Sequence, residues 1–218
     1  MTSRALVPIA ALLATLLAAS PVGAAPGGAY RTLSASEQSA LVNNKAYIPS
    51  GLGLTDSYVQ DFPPQGLEVL LCYDAAFKPL MLPKAPGAWL AAQGNGGVGM
   101  GVYLYEYPDD KAAKSAGSAL MKTKCAAKGD DPKAGLQQSQ RSLPKKSGSS
   151  GMLITTTMKD DGDLETDVQA VRQVGLAVLK ASAVVNGGPD SPLVKKASAA
   201  VVKTLDQLTA DYVKAAKR

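Results

Sequence analysis

Two cysteines, a handful of paired acids and a run of tyrosines are the side chains of this 218-residue chain whose types invite chemistry, and histidine is absent altogether. Without an imidazole there is no Ser–His–Asp or Cys–His relay to activate a hydroxyl or thiol, and no ordinary zinc site can be assembled. The acids gather as Asp109 with Asp110, Asp130 with Asp131, and Asp160 and Asp161 with Asp163. A glycosidase needs two carboxylates facing each other across a sugar, whereas these acids fall where turns are expected. The run from Asp160 to Glu165 departs from a calcium loop, whose ligands alternate and end on a glutamate; it reads as a solvated hairpin tip. The glycines from Gly94 to Gly99 lead into a strand rather than a helix and lack the Lys-Ser/Thr of a phosphate loop. Catalytic residues, metal ligands and cofactor sites are therefore not expected, and the chain reads as a non-enzyme.

Recognition chemistry is what remains. Val98 to Tyr107 alternates, placing Val98, Met100, Val102 and Leu104 on one face and Gly99, Gly101, Tyr103, Tyr105 and Tyr107 on the other. Tyrosines beside glycines offer a shallow apolar surface edged with hydroxyls, so Tyr103, Tyr105 and Tyr107 are the candidate ligand-binding residues, joined by Trp89. The competing reading is an aromatic face capped by a loop, because strands favour tyrosine in any case. Trp89 lies in the stretch from Lys78 to Gly97, where Pro79, Pro83, Pro86 and four clustered residues of Gly and Asn predict a long irregular connection. In such a connection a lone Trp serves as a hydrophobic anchor.

These side chains work in a compartment that the N-terminus announces. Arg4 supplies a positive start, Ala5 to Ala19 an apolar run, and Val22-Gly23-Ala24 the small residues a signal peptidase requires, so residues 1–24 are expected to be a removable secretory signal. The run is shorter than the ~20 apolar residues of a membrane span. No stable membrane anchor is expected, and the mature protein should be secreted. In that oxidising setting Cys72 and Cys125 are expected to form a disulfide, stabilising the fold by ~4 kcal/mol through loop closure. The net charge of +5 is spread among acids without a basic block, which argues against a nucleic-acid partner.

The elements that must position the tyrosines follow from pattern. Residues 25–33 form a flexible lead-in, and residues 34–218 a single domain. Ser34 with Glu37 makes a capping box for a short helix reaching Asn43; Tyr47 to Asp56 reads as a loop, and Tyr58 to Asp61 as extended. Leu67 to Tyr73 is a strand. Asp109 and Asp110 open a second helix expected to continue to Cys125. Leu136 to Leu143 reads as an edge strand followed by a turn over 144–151, and strands follow at Met152 to Met158, Glu165 to Gln173 and Gly175 to Val185. Ser191 or Asp190 caps the last helix and Pro192 begins it, with Leu193, Ala197, Val201, Leu205, Leu208 and Tyr212 as its apolar stripe. The fold class is α+β: a twisted antiparallel sheet packed against helices, with one disulfide and a long C-terminal helix.

This order of elements resembles the extracytoplasmic sensor domain of mycobacterial PknH-type receptor serine/threonine kinases, a domain that also occurs as free secreted proteins and lipoproteins in actinobacteria. The residues that carry the resemblance are Tyr105-Glu106-Tyr107 with the Ala-rich helix to Cys125, then Val168 to Val185, then the helix to Arg218. That family usually carries two disulfides, and this chain has cysteines for one. The resemblance implies a twisted antiparallel sheet backed by helices, with a cleft for a ligand. The expected function is a secreted, non-enzymatic ligand-binding or sensor-like domain whose partner is an unknown small molecule or envelope protein. The alternative is a secreted protein–protein interaction module without a small-molecule ligand.

Overall fold

The structure, a computed structural model, describes residues 30–62, 65–129, 135–160 and 162–217; the expected signal sequence lies outside them. Among these residues the order is α1 (Ala35–Val42), β1 (Leu54–Asp61), β2 (Leu67–Tyr73), β3 (Pro79–Ala85), β4 (Gly87–Gly94), β5 (Gly99–Glu106), α2 (Asp110–Lys122), β6 (Gln137–Lys146), β7 (Ser149–Asp160), β8 (Asp163–Val174), β9 (Ala177–Asn186) and α3 (Pro192–Ala216). Seven strands form one antiparallel sheet in the order β1-β4-β5-β9-β8-β7-β6, while β2 and β3 make a separate hairpin. The α+β class, the antiparallel sheet and the long C-terminal helix are as the pattern implied.

Strand alternation divides the interior into two cores. On one face, Met100, Val102 and Leu104 of β5 and Leu179, Ala181 and Ala183 of β9 pack under α3, which buries Ala197, Val201, Leu205, Leu208 and Tyr212. The Ser191 hydroxyl accepts the Val194 N–H, and Pro192 sits in the first turn, where its missing N–H costs nothing. On the other face, Val69, Leu71 and Leu82 of the hairpin and Ala113, Ala116 and Leu120 of α2 cover Tyr105, Tyr107, Ile154, Val171 and Val178. The bond between Cys72 in β2 and Cys125 beyond α2 joins the two elements that make this cover, with Cα atoms 5.7 Å apart.

Several expectations are corrected. Lys78 to Gly97 is not an irregular connection but holds β3 and β4, with Trp89 inside β4. Its prolines are tolerated by position: Pro79 begins an edge strand, Pro83 falls within the register shift between the Leu67 and Val69 pairings, and Pro86 lies between strands. The second helix stops at Lys122 rather than Cys125, because the chain turns out so that the Cys125 N–H reaches Gln140 Oε1. The turn expected over 144–151 shrinks to Ser147 and Gly148, both with positive φ, and β6 and β7 run up to it. Residues 30–33, expected as the end of a flexible lead-in, are held: Tyr30 bridges to Lys217, the Arg31 N–H donates to Ala216, and Leu33 is buried. The capping box of Ser34 and Glu37 is present, both arms made.

Candidate functional site

The four aromatic candidates separate into two pairs. Tyr105 and Tyr107 are each 3% exposed, sealed beneath the hairpin and α2. Phe62 lies 4.9 Å from the Tyr105 ring, and the Tyr107 hydroxyl donates to the Pro83 carbonyl at 3.0 Å. Burial pushes both phenols up, that of Tyr107 to about 12. They belong to the core and are corrected as walls of an open cleft; the reason is the β2–β3 hairpin, which occupies the space that an irregular loop would have left. Trp89 and Tyr103 are only half-buried and stack at 5.6 Å, with half-exposed Tyr58 of β1 set edge-on to Trp89 at 5.7 Å.

Glycines make this arrangement fit. The Tyr103 ring lies flat over Gly101, so close that a Cβ there would come within 2.4 Å of it. Gly99, one step away on the same face, meets nothing nearer than the Ala92 oxygen at 4.0 Å. Its open space is the floor of a cleft of about 210 Å³ walled by Tyr58, Trp89 and Tyr103 and continued by Ser182 and Val184.

Strand register then brings polar residues to that floor. Ala91 pairs with Gly101, Gly101 with Ser182, and Ser182 with Gln169; in the next line Gln93 pairs with Gly99, Gly99 with Val184, and Val184 with Asp167. Cross-strand neighbours stand about 5 Å apart, so Gln169 and Asp167 adjoin the cleft. Lys180, paired with Tyr103, is 8% exposed; its ammonium donates to the Leu70 carbonyl at 3.1 Å and lies 5.3 Å from the centre of the Tyr103 ring. Burial lowers the Lys180 pKa and raises that of Asp167, while their mutual attraction works against both shifts. Burial also raises the Tyr103 phenol, with the Ser182 hydroxyl acting in the opposite direction.

The hydrogen-bond inventory around these groups is incomplete in a specific way. Gln169 Nε2 donates to Asp167 Oδ2 in a short contact. Among the described residues, Asp167 Oδ1 and Gln169 Oε1 are both buried and neither receives a donor, although buried acceptors are almost always satisfied. A larger groove of about 440 Å³ between Arg141, Thr155 and Lys195 has no such orphaned group in its lining. Sequence reasoning reached Trp89 and Tyr103 but missed Lys180, Asp167 and Gln169. Its one available signal was three polar residues of like parity, Asp167, Gln169 and Lys180, inside strands otherwise rich in Val and Ala.

The arrangement can hold a small molecule between an aromatic wall and a polar floor. It offers no nucleophile with an adjacent base, and among the described residues no group of acids and cysteines is placed to hold a metal ion. No described helix is long and apolar enough to cross a membrane. No protein-family model matches the chain, and no curated protein matches it either.

Proposed function

We propose that this protein is a secreted, non-enzymatic ligand-binding or sensor-like domain, and that its ligand occupies the cleft between Trp89, Tyr103 and Gly99. The observation that carries the reading is the juxtaposition of a half-exposed aromatic stack, an uncrowded glycine floor and orphaned buried acceptors on one sheet face. Small-molecule sites combine apolar walls with a few placed polar groups in this way. The leader of residues 1–24, the Cys72–Cys125 bridge and the resemblance to the PknH-type sensor domain support an extracytoplasmic setting.

Native mass spectrometry of the exported protein tests this. A bound small molecule is expected on the wild-type chain and absent after Trp89→Ala or Tyr103→Ala. The second reading, an interaction module, draws on exposed Leu67 and Met81 of the hairpin. It is supported instead if the exported chain is bare in every preparation and a protein partner is captured whose binding Met81→Lys abolishes.

A further inference from the structure

The orphaned acceptors say something about what the ligand must carry. Asp167 Oδ1 and Gln169 Oε1 can only accept, since the Gln169 amide already donates from its nitrogen to the other Asp167 oxygen. Gln169 is 2% exposed, so bulk water does not satisfy it cheaply. A ligand that completes this pair has to bring N–H or O–H donors.

Charge narrows the class. The Asp167 carboxylate is already countered by the buried Lys180 ammonium, which is committed to the Leu70 carbonyl and the Tyr103 ring. A cationic ligand would be repelled by Lys180. An anionic one would meet a carboxylate and an amide oxygen with no donor to receive it. A neutral molecule with several hydroxyls avoids both costs. The third constraint is the wall: Trp89 and Tyr103 are stacked at 5.6 Å with their rings nearly parallel, at 13°. An aromatic surface of this kind takes an apolar, flat partner on one side only. A pyranose ring unites the two demands, with C–H groups on one face and hydroxyls around its rim.

We infer that the cleft binds a neutral pyranose sugar, its C–H face against the Trp89 and Tyr103 wall and its hydroxyls donating to Asp167 Oδ1 and Gln169 Oε1. This rests on the ligand-binding reading above and specifies its ligand.

Trp89 is the single tryptophan of the chain, so its emission reports on the cleft directly. Methyl glucopyranoside, N-acetylglucosamine and cellobiose would be titrated against the full exported protein, with choline and citrate alongside, and saturation-transfer NMR would register each ligand's contact. The expected result is a saturable response to at least one sugar. Asp167→Ala and Gln169→Ala should each weaken it roughly tenfold or more, the effect of losing a well-placed hydrogen bond to a polar ligand. Gly99→Leu should abolish it with an unchanged circular dichroism spectrum, because a Cβ there meets nothing within contact distance. The sugar assignment is overturned if no pyranoside binds, or if binding survives Gly99→Leu. Choline or citrate bound in place of sugars and lost in Gly99→Leu would overturn the sugar and leave the cleft standing. Failure of every probe, together with a bare exported mass, would remove both.

Discussion

The two faces of the seven-stranded sheet bury polar groups to opposite effect. Under α3, Glu106 is 1% exposed and fully answered: its Oε2 accepts from the Leu33 N–H at 2.9 Å and from Gln38 at 2.7 Å, and its Oε1 from the Tyr212 hydroxyl at 3.3 Å. Arg172, equally buried, leaves only Nε without an acceptor and uses its terminal nitrogens on Asp206, Thr209 and the Pro144 carbonyl. These two side chains fasten α3 and the N-terminal segment to the sheet. Across the sheet, Asp167 and Gln169 keep acceptors that nothing among the described residues answers. A buried group whose partners the fold supplies holds the fold together. One whose partners are lacking reduces stability, and is retained where something else completes it.

The largest test separates the two cores. Replacing Cys72 and Cys125 by serine opens a loop spanning 53 residues and should lower stability by about 4 kcal/mol in the chain-entropy model. Hydrogen exchange should then rise first in β2 and β3 and last in α3; uniform loosening would mean that the hairpin face is no separate layer. Next in size, Glu106→Ala strands three donors and should cost about 2–4 kcal/mol by urea unfolding. Gln169→Ala deletes an unmet acceptor along with one hydrogen bond, and its cost should stay below about 1 kcal/mol. Equal losses for the two substitutions would erase the contrast between the faces.

The same contrast explains what could be read from the chain alone. The α3 face was legible because its signals are local and periodic: the stripe from Ala197 to Tyr212, the Ser191-Pro192 start and the alternation of Met100, Val102 and Leu104 each occupy one element. The hairpin face depends on pairings distant in sequence. Pro79, Pro83 and Pro86 disguised β3 and β4, because edge position and a register shift, which no local window contains, decide whether a strand tolerates proline. Tyr103, Tyr105 and Tyr107 share a face as expected, yet only the placement of the hairpin decides that Tyr105 and Tyr107 are covered while Tyr103 borders a cleft. Lys180, Asp167 and Gln169 meet the aromatic wall through the pairing of β5 with β9 and β9 with β8. Nothing in any one strand announces that meeting.

Two neighbouring glycines bring the comparison to the scale of a methyl group. Gly101→Ala pushes a Cβ into the Tyr103 ring and should cost about 1–3 kcal/mol, as overpacking does, with a shift in Trp89 emission as the stack opens. Gly99→Ala fills open space on the same strand and should change stability by no more than about 0.5 kcal/mol. If Gly101→Ala leaves both stability and emission untouched, Tyr103 is not held flat against the sheet.

The smallest effects are in pH, where two carboxylates that secure the N-terminal segment should act with opposite sign. Burial raises the Glu106 pKa from 4.5 despite its hydrogen bonds. Its contribution is therefore full below pH 4.5 and is lost as pH climbs through the raised value. Glu106→Gln can keep the same contacts without the charge, so its stability relative to wild type should improve as pH rises. Glu37 is the reverse: the Arg31 guanidinium first, then the Ser34 backbone and hydroxyl, lower its pKa from 4.5 to about 2. Its contribution is present above pH 4.5 and is lost as pH falls towards 2. Being at the surface, this cap is screened by solvent and salt, and its effect should shrink in high salt while that of Glu106 persists. Melting temperatures of wild type, Glu37→Gln and Glu106→Gln between acid and neutral pH would show the Glu37 gap closing on acidification. The Glu106 difference should move the other way, and parallel curves for the two variants would mean that the buried and exposed anchors of this segment are electrostatically alike.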